Sequence, residues 1–566
     1  MALGITALLV LIVYPLAAVV IQAEFPHLFA PQSPNARFDP AALIRVFRTP
    51  TDYRMLGDSV ALSLGAAVFA SVAGGALAVV LGRTDLPGRA VFAGLAWVNL
   101  LIPSFLLAEG WTFLLQQGGL LSHFLTEPGW MQNVFTTPWG VGAILALKFY
   151  PFAYLTVSAA LPWLGGEHEA VARTLGASTT AVWRRVFIPL LLPFLASAAT
   201  IVFADVLSDF GVAITVAESH QFPLLTYGIY SSLYNQPTDY AGAGALALLL
   251  GVAVATALLA QLLILRKNRF ATIHAGFRPP APARLRPQVR YPLLLAVILF
   301  FAVALGAPAG SILVESFLKG SAYGIITVQP TLANFASLAG PTAHTAVLSL
   351  GYSLRLALVT ATAALALGTL LAYFGTQGKG GTGQFLQAIS LWTISVPGII
   401  LAAGYVFAWN QRWLSSIGLE LYGTVFALGL CYLAGGLPYV LRFQMGALSQ
   451  LDRRMMSAAR VQGAGVGAVL TRIVTPILAE GAVSLWLFVL AGTTFELPAS
   501  EFLYPPGQPT LAVEINHFFS ESSYGQGMAL AIATAAVLIT AVLILRLLMR
   551  RRLPAAERAQ APARTF

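Results

Sequence analysis

The chain of 566 residues contains a single cysteine, Cys431, and charged residues make up only 10% of it. One cysteine excludes an intrachain disulfide, and its place inside an apolar run indicates a small core residue. The 7 histidines are scattered, so no His or Cys cluster has the spacing of a metal site. A phosphate-binding loop is also missing, because Gly378-Lys379 is followed by Gly380 and Tyr373 stands where the leading glycine would be. We therefore expect this chain itself to bind no nucleotide or other cofactor, and no metal site is firmly assigned.

Hydrophobic residues make up 58% of the chain, whereas roughly 45–50% is usual in soluble domains. Apolar runs of about 20 residues recur from end to end, and each is long enough to cross a bilayer as a helix. We predict an all-α polytopic membrane protein with about twelve transmembrane helices, arranged as two tandem six-helix halves. The predicted spans lie near residues 4–22, 58–82, 89–109, 138–162, 188–214, 241–265, 291–313, 350–374, 384–408, 421–445, 477–498 and 526–548. Residues 4–22 lack the features of a cleaved signal peptide, so a retained first span is expected.

The two sets of spans repeat each other in sequence. A shift of 294 residues carries Gly110 to Gly404, and a shift of 287 residues carries Pro151 to Pro438. Matches at one register across several spans indicate a tandem duplication. Because each half has an even number of spans, both halves enter the membrane from the same side. We predict a first half at 1–275, a Pro- and Arg-rich linker at 276–290, a second half at 291–548 and a basic tail at 549–566.

Arginines determine the predicted orientation. They cluster in the linker, in the tail and in the polar loops after the fourth and tenth spans. Excess Lys and Arg beside spans marks the cytoplasmic side, so these loops and both termini are expected in the cytoplasm. The outer loop at 23–57 also carries four arginines, but long loops are translocated despite their charge. The net charge of +10 is thereby explained without nucleic acid as a partner.

One polar loop occurs twice. EAVARTLGASTTAVWRRVFIP at 169–189 falls, at the shift of 287 residues, on MSAARVQGAGVGAVLTRIVTP at 456–476. Its matched pairs are Ala172 with Ala459, Arg173 with Arg460, Gly176 with Gly463, and Pro189 with Pro476. The same glycine and proline spacing in both halves indicates a defined local structure.

The residues of this loop predict its shape. Gly176 permits a left-handed turn that ends one short helix, and Ser178 or Thr179 can cap the next helix. Pro189 lies where the chain re-enters the membrane. We predict a short cytoplasmic helix, a turn and an elbow into the following span in each half.

The loop resembles the EAA motif of ABC importer permeases, in which a small-residue triplet, a glycine and a terminal proline have this spacing. In that family the loop docks on a separate ATP-hydrolysing subunit. The resemblance also implies the fold of a type I importer permease. The acidic motif position holds Ala170 and Ser457 here, and Glu169 is adjacent in the first copy. The docking residues implied by the resemblance are Glu169, Ala172, Arg173, Gly176, Pro189, Ala459, Arg460, Gly463 and Pro476.

The resemblance also implies partners and a location. Two copies of an ABC ATPase subunit would bind ATP and Mg²⁺ on the cytoplasmic side, and a periplasmic solute-binding protein would deliver the solute. Membrane lipid would surround the chain, which is expected to be multi-pass in the bacterial inner membrane with both termini in the cytoplasm. The chain is then a transport subunit rather than an enzyme.

Ionisable residues inside spans are costly and are therefore functional candidates. Asp209 and Glu496 are equivalent under the repeat, and carboxylates and tyrosines suit a hard cation. The alternative is that the acids face loops, while Lys148 and Arg355 are paired or extend to the interface. No metal ligand set is assigned. The candidates for a translocation path are Glu109, Lys148, Tyr150, Tyr154, Asp205, Asp209 and Glu496.

Two fused halves, with SDFG at 208–211 and PLLTYGIY at 223–230, are similar to ferric-iron importer permeases. Thiamine importer permeases are also fused, and polyamine and phosphonate systems are related, so these substrates stay open. A proton- or sodium-coupled secondary transporter can also have six plus six spans, but it gives no reason for twin polar loops.

Overall fold

The structure is a computed structural model that describes residues 2–26, 28, 37–116, 119–123, 137–163, 166–217, 223–267, 282–319, 329–340, 344–377, 383, 385–386, 396–449, 455, 459 and 461–552. The α-helices of this part are α1 (Ala2–Leu8), α2 (Tyr14–Glu24), α3 (Ala41–Arg48), α4 (Pro50–Arg83), α5 (Arg89–Leu101), α6 (Ser104–Leu115), α7 (Pro138–Ala160), α8 (Gly166–Thr174), α9 (Thr179–Val182), α10 (Ile188–Leu207), α11 (Leu225–Tyr234), α12 (Tyr240–Lys267), α13 (Pro287–Phe301), α14 (Ala307–Ser316), α15 (Ala333–Ser337), α16 (His344–Gln377), α17 (Gly398–Trp409), α18 (Arg412–Ser416), α19 (Val425–Ser449), α20 (Val466–Val469), α21 (Thr475–Thr494), α22 (Pro498–Leu503), α23 (Leu511–Ser520) and α24 (Tyr524–Arg552). Extended pairing in the described part is limited to two isolated bridges, Thr84 with Ala283 and Leu318 with Pro330.

The described residues contain nine helices that are long and apolar enough to cross a membrane. Two pairs of helices meet the same criteria together but are bent at a short break, α5 with α6 by 98° and Gly467–Ala479 with Gly481–Thr494 by 74°. The described residues contain up to eleven spans if each bent pair is one span. In the span predicted at 384–408, helix α17 is shorter because it begins at Gly398, directly after Pro397. Residues 387–395 lie outside the described residues. The predicted all-α membrane fold is confirmed, but the span predicted at 89–109 is a broken helix rather than a straight one.

The helices themselves repeat. Helices α4 and α16 both have 34 residues, and their first and last residues differ by 294 (344 − 50 and 377 − 83). The same difference relates the 12-residue helices α6 and α17 (398 − 104 and 409 − 115). Helices α10 and α21 both have 20 residues and differ by 287 at both ends (475 − 188 and 494 − 207). The repeat seen in the sequence is therefore a repeat of secondary structure as well.

Contacts group the chain into two units that do not coincide with the predicted sequence halves. The first unit comprises Met1–Ile312, Gln387–Gly435 and Leu497–Tyr504, and its core lies where α4, α7 and α10 pack together. The second unit comprises Leu313–Leu386, Gly436–Glu496 and Pro505–Phe566, and in it α16 packs against α21 and α23. The predicted halves stay a prediction drawn from the repeat.

Within the first unit, the opening helix of each predicted half lies against the third span of the other. A Cβ added to Gly404 would lie 2.5 Å from the carbonyl oxygen of Pro15, and one added to Gly110 would lie 2.5 Å from that of Pro308. Only glycine allows backbones to approach this closely, as at interfaces between membrane helices generally. The Tyr405 hydroxyl donates to the carbonyl of Leu11 (2.8 Å). This carbonyl has no helical donor four residues later, because Pro15 has no N–H.

The short helices α11 and α23 are anchored in the same way in the two units. The backbone N–H of Leu225 donates to Ser59 Oγ (2.8 Å), and that of Leu511 donates to Ser353 Oγ (2.8 Å). Each bond satisfies the first N–H of a helix, which has no acceptor inside the helix itself. Ser59 and Ser353 are equivalent under the shift of 294 residues (353 − 59), so the duplication extends to individual hydrogen bonds.

Candidate functional site: paired loops and a polar cluster at a broken span

The first polar loop contains the predicted glycine turn. Gly176 has φ +84°, the left-handed region that favours glycine, and it follows the end of α8. The N–H of Gly176 donates to the carbonyl of Arg173 (2.9 Å), and that of Ala177 donates to the carbonyl of Ala172 (3.0 Å). Ser178 Oγ then accepts from the N–H of Ala181 (3.3 Å) and caps α9. The predicted turn is confirmed, and Ser178 is a capping residue.

The second loop adopts the same conformation. Gly463 has φ +83°, and the N–H of Ala464 donates to the carbonyl of Ala459 (3.0 Å). Helix α20 follows at the position equivalent to α9 (466 − 179 = 287). Arg460 lies outside the described residues. The paired loops are therefore alike in backbone geometry as well as in sequence.

The proline of each loop lies within a helix, and its predicted place at the re-entry of the chain into the membrane stays a prediction. Pro189 lies in the first turn of α10, after a π-helical turn at Trp183–Phe187, and the helical stretch from Thr180 to Leu207 is unbroken. Pro189 therefore lies inside a continuous helical stretch and does not end it. Pro476 has the same position in α21, after a π-helical turn at Leu470–Val474.

A charged contact ties α8 to the second span. Glu169 lies 3.7 Å from the guanidinium of Arg83 and 3.8 Å from that of Arg173, measured between the nearest nitrogen and oxygen atoms. The Arg83 guanidinium also lies over the ring of Phe187, 4.8 Å from its centroid. The positions equivalent to Glu169 and Arg83 in the second half are Met456 and Gln377, so the sequence provides this ion pair once.

The break between α5 and α6 is the most polar feature inside a predicted span. Pro103 has no N–H to continue the helix, and the final carbonyls of α5 are left without intrahelical donors. The ammonium of Lys148, which is 6% exposed, donates to the carbonyls of Asn99 and Leu100 (2.9 Å each) and to that of Ile102. Lys148 therefore uses its three donors to satisfy the backbone exposed by the break.

Asn99 makes the reciprocal contact. Pro151 lies inside α7 and removes the N–H that would bond the carbonyl of Leu147. The side-chain amide of Asn99 donates to that carbonyl (3.0 Å) and to the carbonyl of Lys148 (3.2 Å). Two helices interrupted by proline thus complete each other's hydrogen bonding through one lysine and one asparagine.

Two of the predicted carboxylates lie near this lysine. Asp209 accepts from the N–H of Val212 (2.7 Å) and bonds the hydroxyl of Ser104, the first residue of α6. Asp205 and Asp209 both attract the ammonium of Lys148 electrostatically. The structure therefore brings Lys148, Asp205 and Asp209 together at the break. In the second half Gly435 and Gly492 occupy the positions of Lys148 and Asp205, and Glu496 that of Asp209.

The other predicted path residues lie elsewhere. Tyr150 is fully buried in edge-to-face contact with the ring of Phe300 (centroids 4.8 Å apart). Tyr154 lines a cavity at the end of α4 and bonds Ser158. Glu109 is buried on α6, and Glu496 is half-buried just beyond the end of α21. For these four residues a role in translocation stays a prediction.

Sequence reasoning missed Asn99, Ser104 and Arg83. Asn99 is a polar residue in an otherwise apolar run and lies four residues before a proline, which is a signal for a carbonyl-satisfying role. Arg83 is the cation that ends a long apolar span, and its partner Glu169 could have been sought in the adjacent loop. Ser104 carried no signal, because a serine after Pro103 is indistinguishable from a helix cap.

Comparison with known proteins places the chain in a family. The family described as binding-protein-dependent transport system inner membrane component matches residues 70–268. The molybdenum transport system permease protein ModB of Mycobacterium tuberculosis is similar to this chain, with 30% identity over 255 residues, 44% of this chain and 88% of the relative. The chain belongs to this family. As a member, it is the permease subunit of an ABC importer and a multi-pass protein of the inner membrane.

Two further relatives extend the comparison. The ferric transport system permease protein FbpB of Actinobacillus pleuropneumoniae is 24% identical over 544 residues, 94% of this chain and 74% of the relative. The sulfate transport system permease protein CysT of Escherichia coli is 27% identical over 183 residues, 32% of this chain and 65% of the relative. The similarity to the ferric permease therefore extends over both predicted halves of this permease.

Proposed function

We propose that this permease imports ferric iron from a periplasmic solute-binding protein, driven by ATP. In this proposal the loops at 169–189 and 456–476 dock on two copies of a separate ATPase subunit, which binds ATP and Mg²⁺ on the cytoplasmic side. Both termini, the linker and the two loops lie in the cytoplasm. The observation that carries the proposal is the repetition of the glycine turn, with φ +84° at Gly176 and +83° at Gly463.

The surface of the two loops supports docking. Leu175, just before the first turn, is 83% exposed, and Val461, before the second turn, is 88% exposed. Large apolar side chains that are exposed to water shortly before the glycine in both polar loops suit a groove on a partner.

The polar cluster supports a charged solute. Asp205 and Asp209 are hard oxygen ligands near the break, and Fe³⁺ prefers such ligands. Similarity to the ferric permease over 94% of the chain favours iron. Sequence similarity to the molybdenum and sulfate transport permeases favours an oxyanion as the second candidate substrate. Uptake of radioactive iron, molybdate and sulfate by proteoliposomes holding the complete complex would distinguish them.

Coupling is tested by the paired substitution Gly176→Val with Gly463→Val. A β-branched residue in the left-handed region is strained by about 1–2 kcal/mol per site, so each turn should rearrange. ATP-driven uptake should fall at least about tenfold, while the abundance of the permease in the membrane is kept. Gly467→Ala is the matched control, because this glycine lies in α20 of the same loop, has an ordinary φ and has open space around it. Normal uptake in the double variant would contradict the proposed docking role.

The alternative of an ion-coupled transporter has its own test. Uptake by the permease without any ATPase subunit, abolished by a proton or sodium ionophore, would favour that alternative. Uptake that requires the ATPase and persists with the ionophore supports the importer.

A further inference from the structure

A cavity of about 300 Å³ lies where the end of α4, the start of α5 and the end of α7 meet. Its polar lining consists of Arg83, Arg89, Tyr154 and Ser158, and Leu81 and Leu161 supply apolar wall. No carboxylate is among its described lining residues. The cavity is therefore positively charged on one side and hydrocarbon on another.

The two arginines differ in how they are held. The Arg83 side chain is 11% exposed and is fixed by the ring of Phe187, whereas Arg89 is exposed in the first turn of α5. A guanidinium presents five N–H donors in a planar fork that matches phosphate oxygens. The Tyr154 hydroxyl lines the same cavity and bonds Ser158. One largely buried and one exposed guanidinium with two hydroxyls form a suitable donor set for a tetrahedral anion.

We propose that this cavity binds a phosphate group through Arg83 and Arg89. The phosphate of an anionic phospholipid headgroup and free inorganic phosphate share the required chemistry. The apolar wall at Leu81 and the position of the cavity at the end of a membrane-spanning helix suit the lipid, whose acyl chains would continue along α4.

The site is next to the first docking loop. Arg83 pairs with Glu169 of α8 at 3.7 Å, which is longer than a hydrogen bond. A phosphate on Arg83 would compete with that carboxylate for the same guanidinium, so occupancy of the cavity would change how α8 is held. This consequence rests on the proposed function, whereas binding itself does not.

Binding is tested on the full chain alone, in detergent after removal of co-purified lipid. Short-chain phosphatidylglycerol is titrated, and bound molecules are counted by native mass spectrometry, with diacylglycerol of the same chain length, which has no phosphate, as the comparison. Arg89→Gln should weaken the first phosphatidylglycerol at least about tenfold, because a charged hydrogen-bond donor is lost from an exposed position that folding does not need. Arg286→Gln is the matched control, because it removes one exposed arginine that does not line the cavity.

A second arm separates the sources of phosphate. Inorganic phosphate is titrated against the same protein by calorimetry, with Arg89→Gln and Tyr154→Phe as variants. Binding of phosphatidylglycerol that is sensitive to Arg89 supports the lipid, and competition by inorganic phosphate at millimolar concentration supports the free ion. Equal loss in Arg286→Gln and Arg89→Gln, or no preference for phosphatidylglycerol and no phosphate binding, would overturn the proposal. Neither arm requires the ATPase or transport, so failure here is distinct from failure of the proposed function.

Discussion

Replacing Lys148 with methionine should destabilise the permease through the backbone of the broken span. Methionine keeps nearly the same length and volume but donates no hydrogen bond. The carbonyls of Asn99 and Leu100, each 2.9 Å from the ammonium, and that of Ile102 would then be left inside the protein without these donors.

The magnitude follows from the three acceptors. A buried acceptor left unsatisfied costs about 1–3 kcal/mol, which gives about 3–9 kcal/mol for three of them. Removing a buried ammonium offsets part of that cost by ending its own desolvation. We therefore expect a net loss of about 3–5 kcal/mol in the free energy of unfolding.

The assay is thermal unfolding of the purified chain in one detergent, followed by intrinsic fluorescence. At about 2.1 cal/mol/K of unfolding entropy per residue, a loss of that size should lower the apparent midpoint of a chain of 566 residues by about 3–4 °C. Arg355→Met is the matched control, since Arg355 is exposed on α16 and donates to the carbonyl of Gly351 in its own helix (3.0 Å). A midpoint for Lys148→Met within about 1 °C of the unsubstituted chain would refute the structural role. Loss of uptake without loss of stability would instead favour a role on the translocation path.

Three other outcomes are expected. Ser353→Ala should raise hydrogen exchange at the start of α23 about fivefold, because its N–H loses a buried acceptor; unchanged exchange would contradict this. Gly404→Ala should cost about 1–3 kcal/mol in thermal unfolding, since its Cβ would meet the Pro15 carbonyl, and Gly435→Ala, with open space around it, should not. Burial lowers the pKa of His517 in the folded protein, so its neutral form is favoured. Its contribution to stability is full above about pH 6.5 and is lost as the pH falls below that value, and His517→Gln should remove this acid sensitivity of the unfolding midpoint.

The glycine turns were predictable because the requirement is local. A left-handed residue between two helices is encoded by Gly176 itself, and its recurrence as Gly463 removes the ambiguity of a single match. The cap at Ser178 is equally local, since it spans three residues. Features that depend on a few neighbouring residues are visible in one sequence.

The broken span was not predictable for the opposite reason. Pro103 ends a helix, whereas Pro151 and Pro193 lie inside helices that continue through them. The local signal in the sequence, a proline within a predicted apolar span, is the same for all three residues. A distant side chain satisfies freed carbonyls whether or not the helix breaks: Asn99 bonds the carbonyl freed by Pro151 in a continuous helix. At the break the donor is Lys148, 45 residues after Pro103 (148 − 103). Such a pairing is a property of the packed protein.

The joining of the two repeats in one polypeptide affects how this permease can diverge. In an assembly of two identical subunits, every substitution occurs twice, so a buried ammonium gained at one position is imposed on its symmetric copy. Desolvating that second charge would cost several kcal/mol unless it also found partners. Here Lys148 is matched by Gly435 and Asp205 by Gly492, so each charge occurs once. Because one gene encodes both repeats, natural selection can introduce a charged residue in one repeat while the equivalent position in the other repeat stays uncharged.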